Sequence, residues 1–116
     1  MQYLLMIFRD EKTAQFAADG EMSKEYGDFT QGIIKSGHFR AGDALEPTRT
    51  ATTVRVRNGK TVTTDGPFAE TKEQLAGYYL IEAKNLDEAT GIAARIPNAR
   101  DGSIEVRPVR AMNKPA

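Results

Sequence analysis

Residues 2–8 place Tyr3, Leu5 and Ile7 on one side of an extended chain and Leu4, Met6 and Phe8 on the other. Successive side chains of a strand point to opposite faces. A strand apolar on both faces predicts a place inside a sheet that is covered on both sides. Arg9-Asp10-Glu11-Lys12 reads as a charged exit, and residues 13–20, Ala-rich but without periodicity, read as a loop with room for one helical turn. The period then changes. Met22, Tyr26, Phe29 and Ile33 recur at helical spacing and predict a helix, with Ser23 as N-cap, running to about Ser36 and stopped by Gly37. His38 to Leu45 reads as the second main strand, closed by Glu46-Pro47.

Residues 51–64 alternate again. Val54 and Val56 point one way and Arg55 and Arg57 the other, and Asn58-Gly59 predicts a two-residue type I′ turn, so this is a half-exposed hairpin. Asp65-Gly66-Pro67-Phe68 is a sharp turn in which Pro67 fixes its own φ and Phe68 is expected to bury its ring. Thr71-Lys72-Glu73-Gln74 has the form of a capping box and predicts one helical turn. From Leu75 the chain is strand-like and apolar on both faces, with Leu75, Gly77, Tyr79 and Ile81 opposite Ala76, Tyr78 and Leu80. Asn85 with Glu88 predicts the start of a second helix, whose face is Leu86, Ala89, Ala93 and Ile96 and which Pro97 stops. Ser103 to Val109 is the closing strand with Ile104 and Val106 inward, and residues 112–116 are expected to fray.

The run D-G-P-F-A-E-T-K-E-Q-L-A-G-Y-Y-L-I-E, from Asp65 to Glu82, resembles the signature of the YCII-related family, in particular its DGPF-domain branch. The resemblance continues upstream through Ala51–Lys60 and Met1–Ile7. Downstream it takes in Leu86-Asp87-Glu88-Ala89, Ala94-Arg95-Ile96-Pro97 and Gly102–Pro108, so it covers nearly the whole chain. It implies an α+β, ferredoxin-like fold of the dimeric α+β barrel type. The order β-α-β, hairpin, β-α-β agrees, because right-handed crossovers put both helices on one face of one sheet. In that arrangement the first and third main strands are central, and these are the two that are apolar on both faces. The uncovered sheet face then predicts a homodimer formed back to back. Some relatives are thought to use a His–Asp pair with the His on the first helix. No His lies between Ser23 and Ser36, so that pair is not carried over.

With 116 residues, the chain suits one domain, 1–116. Sixteen basic and sixteen acidic residues cancel, leaving no global field for nucleic acid or an anionic membrane. No apolar run reaches the roughly 20 residues of a membrane span. The absence of cysteine excludes disulfides and thiolate chemistry, and the expected compartment is the cytoplasm. One His without Cys lacks metal-ligand spacing, so no metal or other cofactor is expected. His38 could be a base or a ligand, but a helix-to-strand junction is the simpler place for it. Asp65 and Glu70 are the candidate acid–base pair, against a plainer reading as a turn former and a solvated carboxylate. Asp43, Arg49 and Lys72 are expected near them as contacts for a small polar ligand. Tyr78 and Tyr79 are assigned to core or dimer interface rather than to stacking. Two functions follow: a small-molecule binding or catalytic domain near the Asp65–Phe68 turn, or a non-catalytic regulatory or interaction module. The second rests on the family resemblance, which implies an association with sigma-factor signalling.

Overall fold

The computed structural model describes residues 1–12 and 20–112, without the side chains of 20–22. Four strands form one antiparallel sheet: β1 (Gln2–Arg9), β2 (Phe39–Ala44), β5 (Gln74–Glu82) and β6 (Ser103–Pro108). Their order is β2-β5-β1-β6, so the first and third main strands are central, as their two apolar faces require. Leu5 sits opposite Tyr79 on one side and Val106 on the other. Helices α1 (Gly20–Lys35) and α2 (Leu86–Ala93) pack on one face. The core between them is Tyr3, Leu5, Ile7, Phe29, Ile33, Tyr79, Ile81, Ala89, Ile92 and Ile96, with Ile104 and Val106 packed against it.

Helix α1 begins three residues before Ser23, which therefore is not its N-cap. The helix is thus already formed at Met22, where the predicted stripe starts. The predicted loop at 13–20 and the frayed tail at 113–116 lie outside the described residues, apart from Gly20. Gly37, at φ 82°, ends α1 with two backbone bonds: its own N–H to Ile34 O at 3.1 Å and that of His38 to Ile33 O at 2.9 Å. A positive φ at this place favours Gly over any residue with a Cβ.

Helix α2 is capped as expected, the Glu88 N–H donating to Asn85 Oδ1 at 2.9 Å. It stops at Ala93 rather than Ile96. Pro97 pushes Ile96 into an extended conformation, at ψ 130°. Leu86 is not on the buried face: it is 52% exposed, and Ile92 takes that role. The capping box at Thr71 makes no helical turn. Gln74 is already the first residue of β5, opposite Arg9, and its Oε1 accepts from Glu11 N–H at 2.9 Å.

The hairpin is β3 (Thr52–Arg57) and β4 (Lys60–Asp65), turning through Asn58 at φ 53° and Gly59 at φ 73°. It forms a separate two-stranded sheet. Phe68 does not bury its ring; it is 78% exposed, with the Arg55 guanidinium 5.4 Å from its centroid. The loop leaves from the hairpin, and no residue of the hairpin belongs to the buried core among the described residues.

Candidate functional site

The end of the sheet where β1 finishes and β5 begins carries a cavity of about 260 Å³ beneath α1. Each element contributes by its own period. β1 brings Ile7 and Arg9, because the burial alternation of Tyr3, Leu5 and Ile7 continues to Arg9, only 9% exposed. Ser23, Tyr26 and Thr30 follow one another down a helical face of α1 at spacings of three and four. β2 and β5 supply Phe39, Gly42–Ala44 and Ala76–Tyr79, and the 3-10 turn after α2 supplies Asn98.

The two glycines in this wall are demanded by close approach. A Cβ on Gly42 would meet Tyr79 Cδ1 at 2.7 Å, and one on Gly77 would meet the Asp43 carbonyl oxygen at 2.9 Å. The Tyr79 ring is also held edge-on by Phe29, centroids 5.2 Å apart.

The polar groups are linked in short chains. Tyr26 Oη donates to Asn98 Oδ1 at 2.6 Å, and Asn98 Nδ2 donates to Asp101 Oδ1 at 2.9 Å. Asn98 is 2% exposed, so these bonds satisfy an amide that water does not reach from outside. Tyr79 Oη and Thr30 Oγ1 are 2.7 Å apart, and Tyr78 Oη donates to Asp43 Oδ2 at 2.7 Å. Burial pushes the Tyr26 phenol up to about 12, against the opposing pull of Asn98 and the Arg9 charge. Burial also raises Tyr79, and the Asp43 carboxylate beside it raises Tyr78. At neutral pH these phenols are therefore protonated hydrogen-bonding groups, not bases. The arrangement suits holding a polar molecule better than moving a proton.

A family model, that of the YCII-related domain, matches residues 1–113. The chain belongs to the YCII-related family. It is also 38% identical over 120 residues to an uncharacterised protein of Rhizobium meliloti (strain 1021), an alignment covering 99% of this chain and 96% of that one.

In this YCII-related chain, Asp43 is the one member of the expected charged group that lines the cavity. Arg49 is exposed in a 3-10 turn (Thr48–Thr50), and Asp65 is exposed at the end of β4, opposite Thr52. Glu70 is exposed in the loop, and Lys72 borders a shallower depression with Phe8, Glu73 and Ser103. Among the described residues, no hydrogen bond or ion pair joins any two of these five. His38 is at the helix-to-strand junction, its Nδ1 2.6 Å from Ser36 Oγ and its Nε2 3.2 Å from Glu88 Oε1, tying the end of α1 to the start of α2. No group of three or more His, Cys, Asp or Glu among the described residues could hold a metal, and no described helix is long and apolar enough to cross a membrane. Of the groups missed in the sequence, Arg9 was signalled by its parity with Ile7. Asn98 had no signal, since only the tertiary fold brings the turn after Pro97 beneath α1.

Proposed function

We propose that this YCII-related protein binds a small polar molecule in the cavity beneath α1. The apolar walls at Ile7, Phe39 and Ala76 would take its body. Arg9 and the hydroxyls of Tyr26, Thr30 and Tyr79 would take its polar end. One observation carries this reading: a nearly buried arginine lies in the wall of a cavity that Tyr26 and Tyr79 also line. Sites for small molecules combine such apolar walls with a few placed polar groups. Catalysis is not part of the reading, and Asp65 and Glu70 stay outside it. The binding is taken to be cytoplasmic, as a chain without cysteine draws nothing from an oxidising compartment.

The test is a thermal-shift panel of small carboxylates, amides and phenols, since a ligand of the native state raises its melting temperature. At least one compound should stabilise the wild type and lose its effect in Thr30→Val. A panel without effect, or an effect that survives Thr30→Val and Arg9→Met alike, refutes the cavity as the site.

We also propose a homodimer through the sheet face opposite the helices. Leu4, Met6, Phe8, Tyr78 and Leu80 alternate with the core residues of β1 and β5 and are only half-buried. Leu80→Asp should dissociate the dimer; sedimentation showing a wild-type monomer at micromolar concentration sinks the idea. The alternative, a non-catalytic interaction module, has one observation in its favour, the exposed hairpin.

A further inference from the structure

Charge is unevenly placed around the cavity beneath α1. Among its described lining residues, Arg9 is the one cation and Asp43 the one acid. Asp43 stands opposite Tyr78 in the β2–β5 register and accepts from its hydroxyl at 2.7 Å. The next pair along is Gly42 with Tyr79, and the Tyr79 ring belongs to the core under the helices. Neighbouring positions of a strand face opposite sides of the sheet, so the Asp43 carboxylate is turned away from the cavity. Arg9 shares the parity of Ile7, and its charge acts on the buried Tyr26 phenol. The Asp101 carboxylate is not in the wall; it is bonded by Asn98 Nδ2 at 2.9 Å.

The polar end is also rich in donors. A guanidinium has five N–H donors and no acceptor, enough to serve the fold and a ligand together. Tyr79 Oη and Thr30 Oγ1 share one hydrogen bond at 2.7 Å. Two hydroxyls joined in this way keep one proton for a further acceptor. Positive charge with donors is answered by an ionised carboxylate, which only accepts, and which meets a guanidinium through two parallel bonds. One cation balances one negative charge. A second anionic group on the ligand would enter an apolar site without a counter-charge. The size is bounded too: 260 Å³ is the liquid volume of about nine waters, room for a one-ring acid and little more.

We propose that the ligand of this cavity is a monocarboxylate with a compact apolar body of one-ring size. Its carboxylate lies against Arg9 and the Thr30–Tyr79 hydroxyls, and its body lies against Ile7, Phe39 and Ala76. The proposal rests on the reading of the cavity as a binding site and adds the charge and size of what it takes.

Titration calorimetry of the intact chain at neutral pH with sodium benzoate, benzamide and phthalate separates the two, because these probes share a ring and differ in charge. Benzoate should bind, and benzamide and phthalate should each bind at least roughly tenfold more weakly. Thr30→Val should weaken benzoate. Arg9→Lys, which keeps the charge, should hold benzoate better than Arg9→Met, in which benzoate should fall to the level of benzamide. The comparison of probes on the wild type needs no variant, so it stands whatever Arg9→Met does to folding. Benzamide or phthalate binding as tightly as benzoate, and weakened by Thr30→Val, overturns the monocarboxylate and leaves the cavity as a binding site. Benzoate binding that is unchanged in both Thr30→Val and Arg9→Met overturns the proposal and the cavity reading together. An absence of benzoate binding overturns the proposal alone if an amide or phenol of the thermal-shift panel still stabilises the wild type.

Discussion

Replacing Tyr26 by Phe removes one hydroxyl and leaves Asn98 Oδ1, in a side chain only 2% exposed, without its 2.6 Å donor. An orphaned buried acceptor costs about 1–3 kcal/mol. At this chain length, 1 kcal/mol corresponds to about 4 °C in melting temperature, so a fall of about 4–12 °C is expected. The same hydroxyl gives a second reading through pH. Its pKa is about 12 in the folded protein against an ordinary value of 10.0. Below pH 10 both folded and unfolded chains keep the proton, and the contribution is fully present. As pH rises from 10 towards 12 the unfolded chain loses its proton first, so stability falls, and the loss levels off above 12. Two units set a ceiling of about 2–3 kcal/mol, and solvent screening of a partly buried group lowers it. Denaturant melts of wild type and Tyr26→Phe from neutral to alkaline pH measure both effects. The variant should be weaker at neutral pH and should show a shallower alkaline decline. Wild-type stability at neutral pH with an unchanged alkaline slope would refute the Tyr26–Asn98 account.

Gly42→Ala should cost about 1–3 kcal/mol, since the new methyl must displace the Tyr79 ring from 2.7 Å; an urea melt indistinguishable from wild type contradicts the close approach. Phe68→Ala should change stability by no more than about 1 kcal/mol, the scale of an exposed cation–π contact, and a larger loss would mean that the ring is buried. Glu88 is held below the usual carboxylate range by the Lys84 N–H and by His38, with burial opposing. Its stabilisation is thus present above the ordinary carboxylate pKa of 4.5 and lost as pH falls through the lowered value. Glu88→Gln should flatten that acid decline, which a pH series of thermal melts reads directly.

The sheet order was legible because Tyr3–Ile7 and Leu75–Ile81 carry apolar residues on both faces, and these two strands are the central ones. Asn58-Gly59 was legible because a type I′ turn needs positive φ at both positions, and both have it. Phe68 and Thr71 were misread for one reason: local chemistry describes what a segment prefers, not what surrounds it. A phenylalanine beside a tight turn buries itself only if a core is within reach, and a capping box starts a helix only if a strand is not already pairing there. Arg9 shows the converse. Its charge argued for solvent, while the parity of its strand carried it inward.

The strand order also has a consequence for how the chain reaches this structure. β1 ends at Arg9, yet its two neighbours begin at Gln74 and Ser103. Contacts so distant in sequence slow folding, because loop-closure entropy is lost before pairing repays it. During synthesis β1 emerges with apolar side chains on both faces and no partner on either edge until the rest of the sheet has been made. A nascent chain of this design depends on whatever shields its first strand, and a truncation removing β6 would leave that strand with a bare edge, prone to pair with other chains.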